Sequence, residues 1–126
     1  TIAWLVSKYS QTKPQVTDLS NAKQRILSIK ELMASMPEQE FSLTALADMA
    51  NLSQWHFLRQ FKKHVGLSPH AWLVQARLQK SQKLLRQGLS LSEISQQCGF
   101  SDQSHFSRHF RQTFGITPGG YIAYLK

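Results

Sequence analysis

The strongest constraint on this chain is that part of it is written twice. Sliding the sequence along itself by 49 positions lays residues 54–73 over 103–122 with seven identities: Gln54/Gln103, His56/His105, Phe57/Phe106, Arg59/Arg108, Phe61/Phe110, Gly66/Gly115 and Pro69/Pro118. Between them fall conservative pairs such as Lys62/Arg111, Ser68/Thr117 and Trp72/Tyr121. A shift of 48 extends the match upstream, placing Ser42-Leu43, Leu46, Leu52 and Ser53 on Ser90-Leu91, Ile94, Phe100 and Ser101. The change of shift implies one extra residue near Asp102. Two copies are too few for a solenoid, which needs at least about three repeats to bury its core. The repeat therefore predicts two equivalent small modules.

Each copy is punctuated for helices. Gly (6) and Pro (4) are scarce and no stretch alternates cleanly at period two, so strands are not indicated. Ser20 can cap a first helix carrying Ile26, Ile29, Met33 and Met36 on one face, stopped by Pro37. Ser42 caps a short second helix. Ala50-Asn51-Leu52 reads as a tight turn, because Asn tolerates the left-handed conformation. Ser53 caps a third helix closed by Gly66. Ser68-Pro69 opens a long fourth helix to about Gln87, ended by Gly88. Ser90 caps a fifth and Ser101 a sixth, closed by Gly99 and Gly115, and Thr117-Pro118 opens a last short one. The predicted fold is all-α, with about seven helices forming two helix-turn-helix subdomains joined by a long linker helix. Residues 1–21, with Pro14 in a polar stretch, read as the tail or linker of a preceding domain, and Thr1 in place of Met as the start of an excerpt. The domain proper is then 22–126: a first subdomain 22–68, a linker helix 69–87 and a second subdomain 88–126.

Charge is as unevenly placed as the repeat. The 126 residues hold 15 Lys+Arg against 7 Asp+Glu, a net charge of +8. Residues 1–53 carry five charges of each sign and sum to zero, whereas 54–126 carry ten basic groups against Glu93 and Asp102. An excess confined to the repeat-bearing part points to a polyanionic partner, with nucleic acid ahead of a membrane surface. With 41% hydrophobic residues the chain can build a core, and no apolar run approaches the roughly 20 residues that span a bilayer. The single cysteine, Cys98, cannot make an internal disulfide, which fits a reducing, cytoplasmic setting.

On a helical wheel at about 100° per residue, Phe57, Phe61, His64 and Val65 share one face of the third helix. Phe106, Phe110, Thr113 and Phe114 share it in the sixth. These faces are read as core. The opposite faces show Trp55, Leu58, Arg59 and Lys62 in one copy and Ser104, Ser107, Arg108 and Arg111 in the other. An α-helix fits the DNA major groove, where arginine pairs bidentately with guanine O6 and N7. Gln103 and Ser104 sit in a first helical turn, where side chains of a recognition helix reach base edges. Trp55 can pack against thymine methyls or the sugar backbone, and Leu58 can add apolar contact. Lys62, Lys63 and Arg111 lie further along and suit phosphates.

Other chemistry is poorly encoded. His105 and His109 stand four apart, a spacing that suits zinc, but no glutamate follows the first histidine and no third ligand is evident. No metal or cofactor is expected. Cys98 aligns with Ala50 in a small core slot, and no nucleophile-base-acid pattern is recognisable, so no enzyme is read here. Arg77 falls toward the apolar side of the linker helix and is expected to be a structural arginine with a buried hydrogen-bond partner. The competing reading is a basic protein-interaction module that binds an acidic partner without reading sequence.

The stretch from Ile94-Ser95 to Gly99-Phe100, followed by Ser101, Phe106, Arg108, Phe110, Gly115, Pro118 and Tyr121, resembles the signature of the AraC/XylS family of bacterial transcription regulators. The first copy agrees through Leu46-Ala47, Ser53, Phe57, Arg59, Phe61, Gly66 and Pro69, and the linker helix through Arg77-Leu78 and Leu84-Leu85. The resemblance covers roughly 22–126 and implies a double-stranded DNA-binding domain with recognition helices in adjacent major-groove segments. It further implies activation through RNA polymerase, and a separate sensing or dimerising domain outside this chain. Carried over by position, the base-contacting set is Trp55, Leu58 and Arg59, then Gln103, Ser104 and Arg108, with His105 and Ser107 at the edge. Ser53, Gln54 and Ser101 at helix starts join Lys62, Lys63 and Arg111 as expected phosphate contacts. Leu58 departs from the polar residue often found at its position, Asn51 from a turn glycine and Ser81 from a linker-helix alanine.

Overall fold

A computed structural model describes residues 19–125. It contains seven α-helices in that span: α1 (Leu19–Ser35), α2 (Leu43–Ala50), α3 (Gln54–Val65), α4 (Pro69–Arg86), α5 (Leu91–Cys98), α6 (Gln103–Phe114) and α7 (Pro118–Leu125). The expected helical order and the all-α class are observed, with no strand among the described residues. The reading of residues 1–18 as a tail lies outside the described residues.

The helix ends follow local chemistry. Ser42 is extended before α2 and its hydroxyl accepts from the Ala45 N–H at 3.0 Å. Asn51, at φ 58°, is the left-handed residue that closes α2, the role its side chain suits. Ser53 and Ser90 cap α3 and α5 in the same way as Ser42. Two expectations need correction. The first helix starts at Leu19, so Ser20 lies inside its first turn rather than capping it; the sequence there offers several cap-competent residues in succession and periodicity does not choose among them. The sixth helix is capped by Asp102, not Ser101: Asp102 is extended, and its carboxylate accepts from the His105 N–H at 2.7 Å. The reason is the shift in the repeat. Ser101 matches Ser53 only at 48, while the helix that follows matches at 49, so the residue equivalent to the Ser53 cap is Asp102.

Packing divides the described residues into two units, 19–35 with 40–72 and 36–39 with 73–125. The division falls inside α4, after Trp72. In the first unit Ile26, Ile29 and Met33 of α1, Leu46 and Met49 of α2, and Phe57 and Phe61 of α3 are buried almost completely. Met36, expected on the apolar face of α1, lies beyond its end, since Pro37 forbids the residue before it from staying helical. Trp72 is held by its indole N–H, which donates to the Lys30 carbonyl at 3.1 Å.

The second unit is built on Leu78, Leu85, Ile94, Cys98, Phe100, Phe106 and Phe110, with Phe114 and Tyr121 partly buried against them. Phe110 meets Phe114 at 4.6 Å and Tyr121 at 5.7 Å between ring centroids. Thr113, expected on this face, is exposed. Its direction on the wheel lies at the margin of the apolar stripe, and nothing packs over it.

Arg77 is buried and structural, as expected. Its Nε donates to the Pro37 carbonyl at 2.6 Å and a terminal nitrogen donates to the Gln39 carbonyl at 3.0 Å. Lys80, one turn on, pairs with Glu38 at 3.1 Å. Burial would raise the Glu38 pKa, but hydrogen bonds from its own backbone N–H and from Lys80, with the Lys80 charge, outweigh that and hold it below its usual value. Ser81 is fully buried in a slot the resemblance would fill with alanine; its hydroxyl donates to the Leu78 carbonyl at 2.6 Å, so the extra polar atom is satisfied.

Candidate nucleic-acid interface

The same local device builds the candidate site in each unit: a short helix, a turn closed by a left-handed residue, and a twelve-residue helix with an aromatic underside. Phe57 and Phe61 anchor α3, and Phe106 and Phe110 anchor α6, all with no exposed surface. Burial of two phenylalanines a turn apart fixes how each helix is rotated about its axis. The face away from them is thereby committed to solvent.

In the first unit that face carries Trp55, 58% exposed, and Leu58, 39% exposed, with Arg59, Lys62 and Lys63 also exposed. An outward tryptophan beside an outward leucine is not core, and both leave apolar surface available to a partner. The Arg59 guanidinium carbon lies 4.7 Å from the centroid of the Trp55 ring. At the helix start, the Ser53 hydroxyl accepts from the His56 N–H at 3.2 Å and meets His56 Nδ1 at 2.7 Å. Gln54 is exposed and its amide donates to the Thr44 hydroxyl at 2.8 Å, tying the start of α3 to the first turn of α2.

In the second unit Gln103, Ser104, Arg108 and Arg111 are exposed, and Ser101 is exposed just ahead of the cap. Ser107 is half-buried. His105 is turned aside from this row. Its ring meets Phe100 at 5.8 Å and His109 at 4.5 Å, and the two Nε2 atoms lie 3.0 Å apart. Its Nδ1 is buried without a hydrogen-bond partner. The pair with His109 is thus a packed ring cluster over the turn at Phe100. Among the described residues no three His, Cys, Asp or Glu side chains gather where a metal could be held. Cys98 is fully buried, and burial pushes its thiol up to about 11, against the opposing charges of Lys80 and Arg77.

The structure therefore places Trp55, Leu58, Arg59 and Lys62 together on one exposed row, and Gln103, Ser104, Arg108 and Arg111 on its counterpart. Two features of the site were not read from the sequence. Asp102 caps the start of α6, and Thr44 braces the start of α3. The signal for Asp102 was present in the one-residue change of shift; for Thr44 there was none, since its partner lies ten residues away on another helix.

Electrostatics at α3 agree with its composition. His64, hydrogen-bonded to Gln60 at 3.2 Å, has its pKa lowered by burial and then by the charges of Lys63 and Lys23. The same positive field would favour a phosphate. What the arrangement offers chemically is a row of hydrogen-bond donors and apolar groups on the exposed face of a helix, flanked by cations.

Residues 46–123 match the family model described as a helix-turn-helix domain. Among curated proteins, the HTH-type transcriptional activator RhaS of Salmonella schwarzengrund is 39% identical over 94 residues, covering 71% of this chain and 34% of its own length. The chain spans about a third of the length of the curated relatives it matches. Among solved structures, the DNA-binding domain of the global transcriptional factor AdpA, in complex with a target DNA, superposes with a TM-score of 0.74 at 28% identity, covering 79% of this chain and 91% of that one. A transcriptional regulator with an AraC-type DNA-binding domain from Chromobacterium violaceum gives a TM-score of 0.70 at 30% identity, over 82% and 91%. The paired modules, the arginine repeated on their exposed helices and these likenesses agree: the chain belongs to the AraC/XylS family of helix-turn-helix regulators.

Proposed function

We propose that this chain is the sequence-specific double-stranded DNA-binding domain of a transcription regulator, each unit laying its second helix, α3 or α6, into a major-groove segment. The observation that carries this reading is the equivalence of Arg59 and Arg108, exposed on helices whose other faces are locked by paired phenylalanines. Arginine there donates to guanine O6 and N7. Trp55 and Leu58 supply apolar contact in the first unit, Gln103 and Ser104 polar contact in the second, with His105 and Ser107 at its margin. Lys62, Lys63 and Arg111 take phosphates, joined at the helix starts by Ser53, Gln54 and Ser101. Asp102 sets a carboxylate at the start of α6, which disfavours a phosphate directly at that cap and leaves Ser101 as the nearby hydroxyl.

The role in the whole protein follows the relatives. They are described as transcription regulators, RhaS as an activator, and they are about three times as long as the part matched here. We read this domain as binding DNA rather than catalysing a reaction, working with RNA polymerase in the cytoplasm. Sensing or dimerisation is assigned to a domain outside this chain. No described helix is long and apolar enough to cross a membrane.

The test is selection of bound sites from random duplexes at moderate salt. An enriched motif containing guanine within reach of each module is expected. Binding of all duplexes alike would overturn the reading and favour a generic polyanion or acidic-protein surface.

A further inference from the structure

Arg59 and Arg108 occupy equivalent positions, but their surroundings are not equivalent. Residue 55 of α3 is Trp, and the Arg59 guanidinium lies over its ring at 4.7 Å. The matching residue of α6 is Ser104, which has no ring to offer. The Trp55 indole is itself met edge-on by the His56 ring, at 4.9 Å and 82° between planes. His56 is in turn held through Nδ1 by the Ser53 hydroxyl at 2.7 Å. A run of contacts thus leads from the helix cap through two rings to the arginine.

Stacking and base recognition use different parts of a guanidinium. A cation–π contact engages its face, whereas the paired N–H groups that reach guanine O6 and N7 lie along its edge. Arg59 is therefore ordered on the indole without giving up the donors it needs. An unstacked arginine has to lose its rotamer freedom on binding, and that loss is subtracted from affinity.

On the reading of α3 as a recognition helix, we infer that Trp55 is a positioning residue that acts through Arg59, orienting its guanidinium before DNA arrives and making the first unit the more selective for guanine. Its ring is more than half exposed and contributes little to the core, so replacing it leaves the fold intact.

The experiment is a double-mutant cycle in the full 126-residue chain, with Trp55→Leu, Arg59→Ala and the pair. Binding is measured on the duplex recovered by selection and on the same duplex with 7-deazaguanine, which lacks N7, in the first unit's half-site. Trp55→Leu is expected to weaken binding about two- to fivefold on the guanine duplex. Leucine keeps an apolar side chain for the direct contact with DNA, so the change should cost little in the Arg59→Ala background or on the 7-deazaguanine duplex. Trp55→Phe, which keeps a ring, should recover part of the loss, and the melting temperature should not move. Equal losses with and without Arg59 would overturn the inference, because the whole loss would then lie in Trp55's own apolar contact with the DNA and none of it in Arg59. That outcome differs from failure of the DNA reading, in which the unaltered chain shows no preferred duplex at all.

Discussion

The Nε of Arg77 donates to the carbonyl of Pro37, forty residues earlier, at 2.6 Å. A second bond from the same guanidinium reaches Gln39, so one buried cation satisfies two carbonyls of the segment 36–39. Arg77→Ala leaves those acceptors unpaired and is expected to destabilise the chain by about 2–3 kcal/mol, measured by urea denaturation. Arg77→Lys should recover only part of this, because an ammonium cannot reproduce the planar fork.

Gly99 approaches the same segment beside Arg77. It has φ +91°, and a Cβ there would stand 2.8 Å from the Glu38 carbonyl oxygen, a backbone atom that cannot swing aside. Gly99→Ala is expected to cost more than the ordinary penalty of about 1 kcal/mol for a left-handed residue. Gly115→Ala, with φ +82° and open space around the site, should cost only that ordinary penalty. Equal melting temperatures for the two variants would refute the close approach.

The start of α6 can be settled by paired substitutions. Asp102→Ala removes the carboxylate that accepts from the His105 N–H and should lower stability by about 1 kcal/mol. Ser101→Ala should leave stability nearly unchanged. The reverse ranking in thermal melts would restore Ser101 as the cap.

Arginine and lysine on the exposed row should differ in kind. Arg108→Ala is expected to cost about 1–3 kcal/mol on the preferred duplex and to relax selectivity at one or two base pairs. Lys62→Ala should weaken all duplexes similarly and lower the slope of log K against log salt by about one. An Arg108 variant that loses equally on preferred and random DNA would remove Arg108 from the base-reading set.

Acid should expose the cost of His64. Burial, then Lys63 and Lys23, hold its folded pKa below the ordinary 6.5, so the unfolded chain binds the proton more tightly. Stability is therefore lost as pH falls from about the ordinary histidine value toward the lowered one, and no further below it. His64→Gln should show a smaller fall in melting temperature between about pH 7.5 and 5, and Lys23→Gln should reduce the fall as well. An identical fall in all three proteins would show that other groups carry it.

The sequence by itself determined the duplication, the order of the helices, most of their caps and the faces that Phe57, Phe61, Phe106 and Phe110 bury. All of these are written within a few residues of one another: periodicity is a property of one helix, and a cap is chosen by the residues it bonds. Asp102 was legible on the same terms, in the change of shift. The buried role of Arg77 was legible too, from its place on the apolar side of α4, but its partners were not. Pro37 and Gln39 lie some forty residues away, and they meet Arg77 only because the segment after α1 is built into the second unit. The ring cluster of Phe100, His105 and His109 likewise depends on how the turn after α5 folds over α6. The seat of Arg59 on Trp55 depends on rotamers that spacing permits without selecting. Tertiary structure decided these because each is a meeting of groups whose distance is set by docking and side-chain choice, and neither is fixed by the local pattern of the chain.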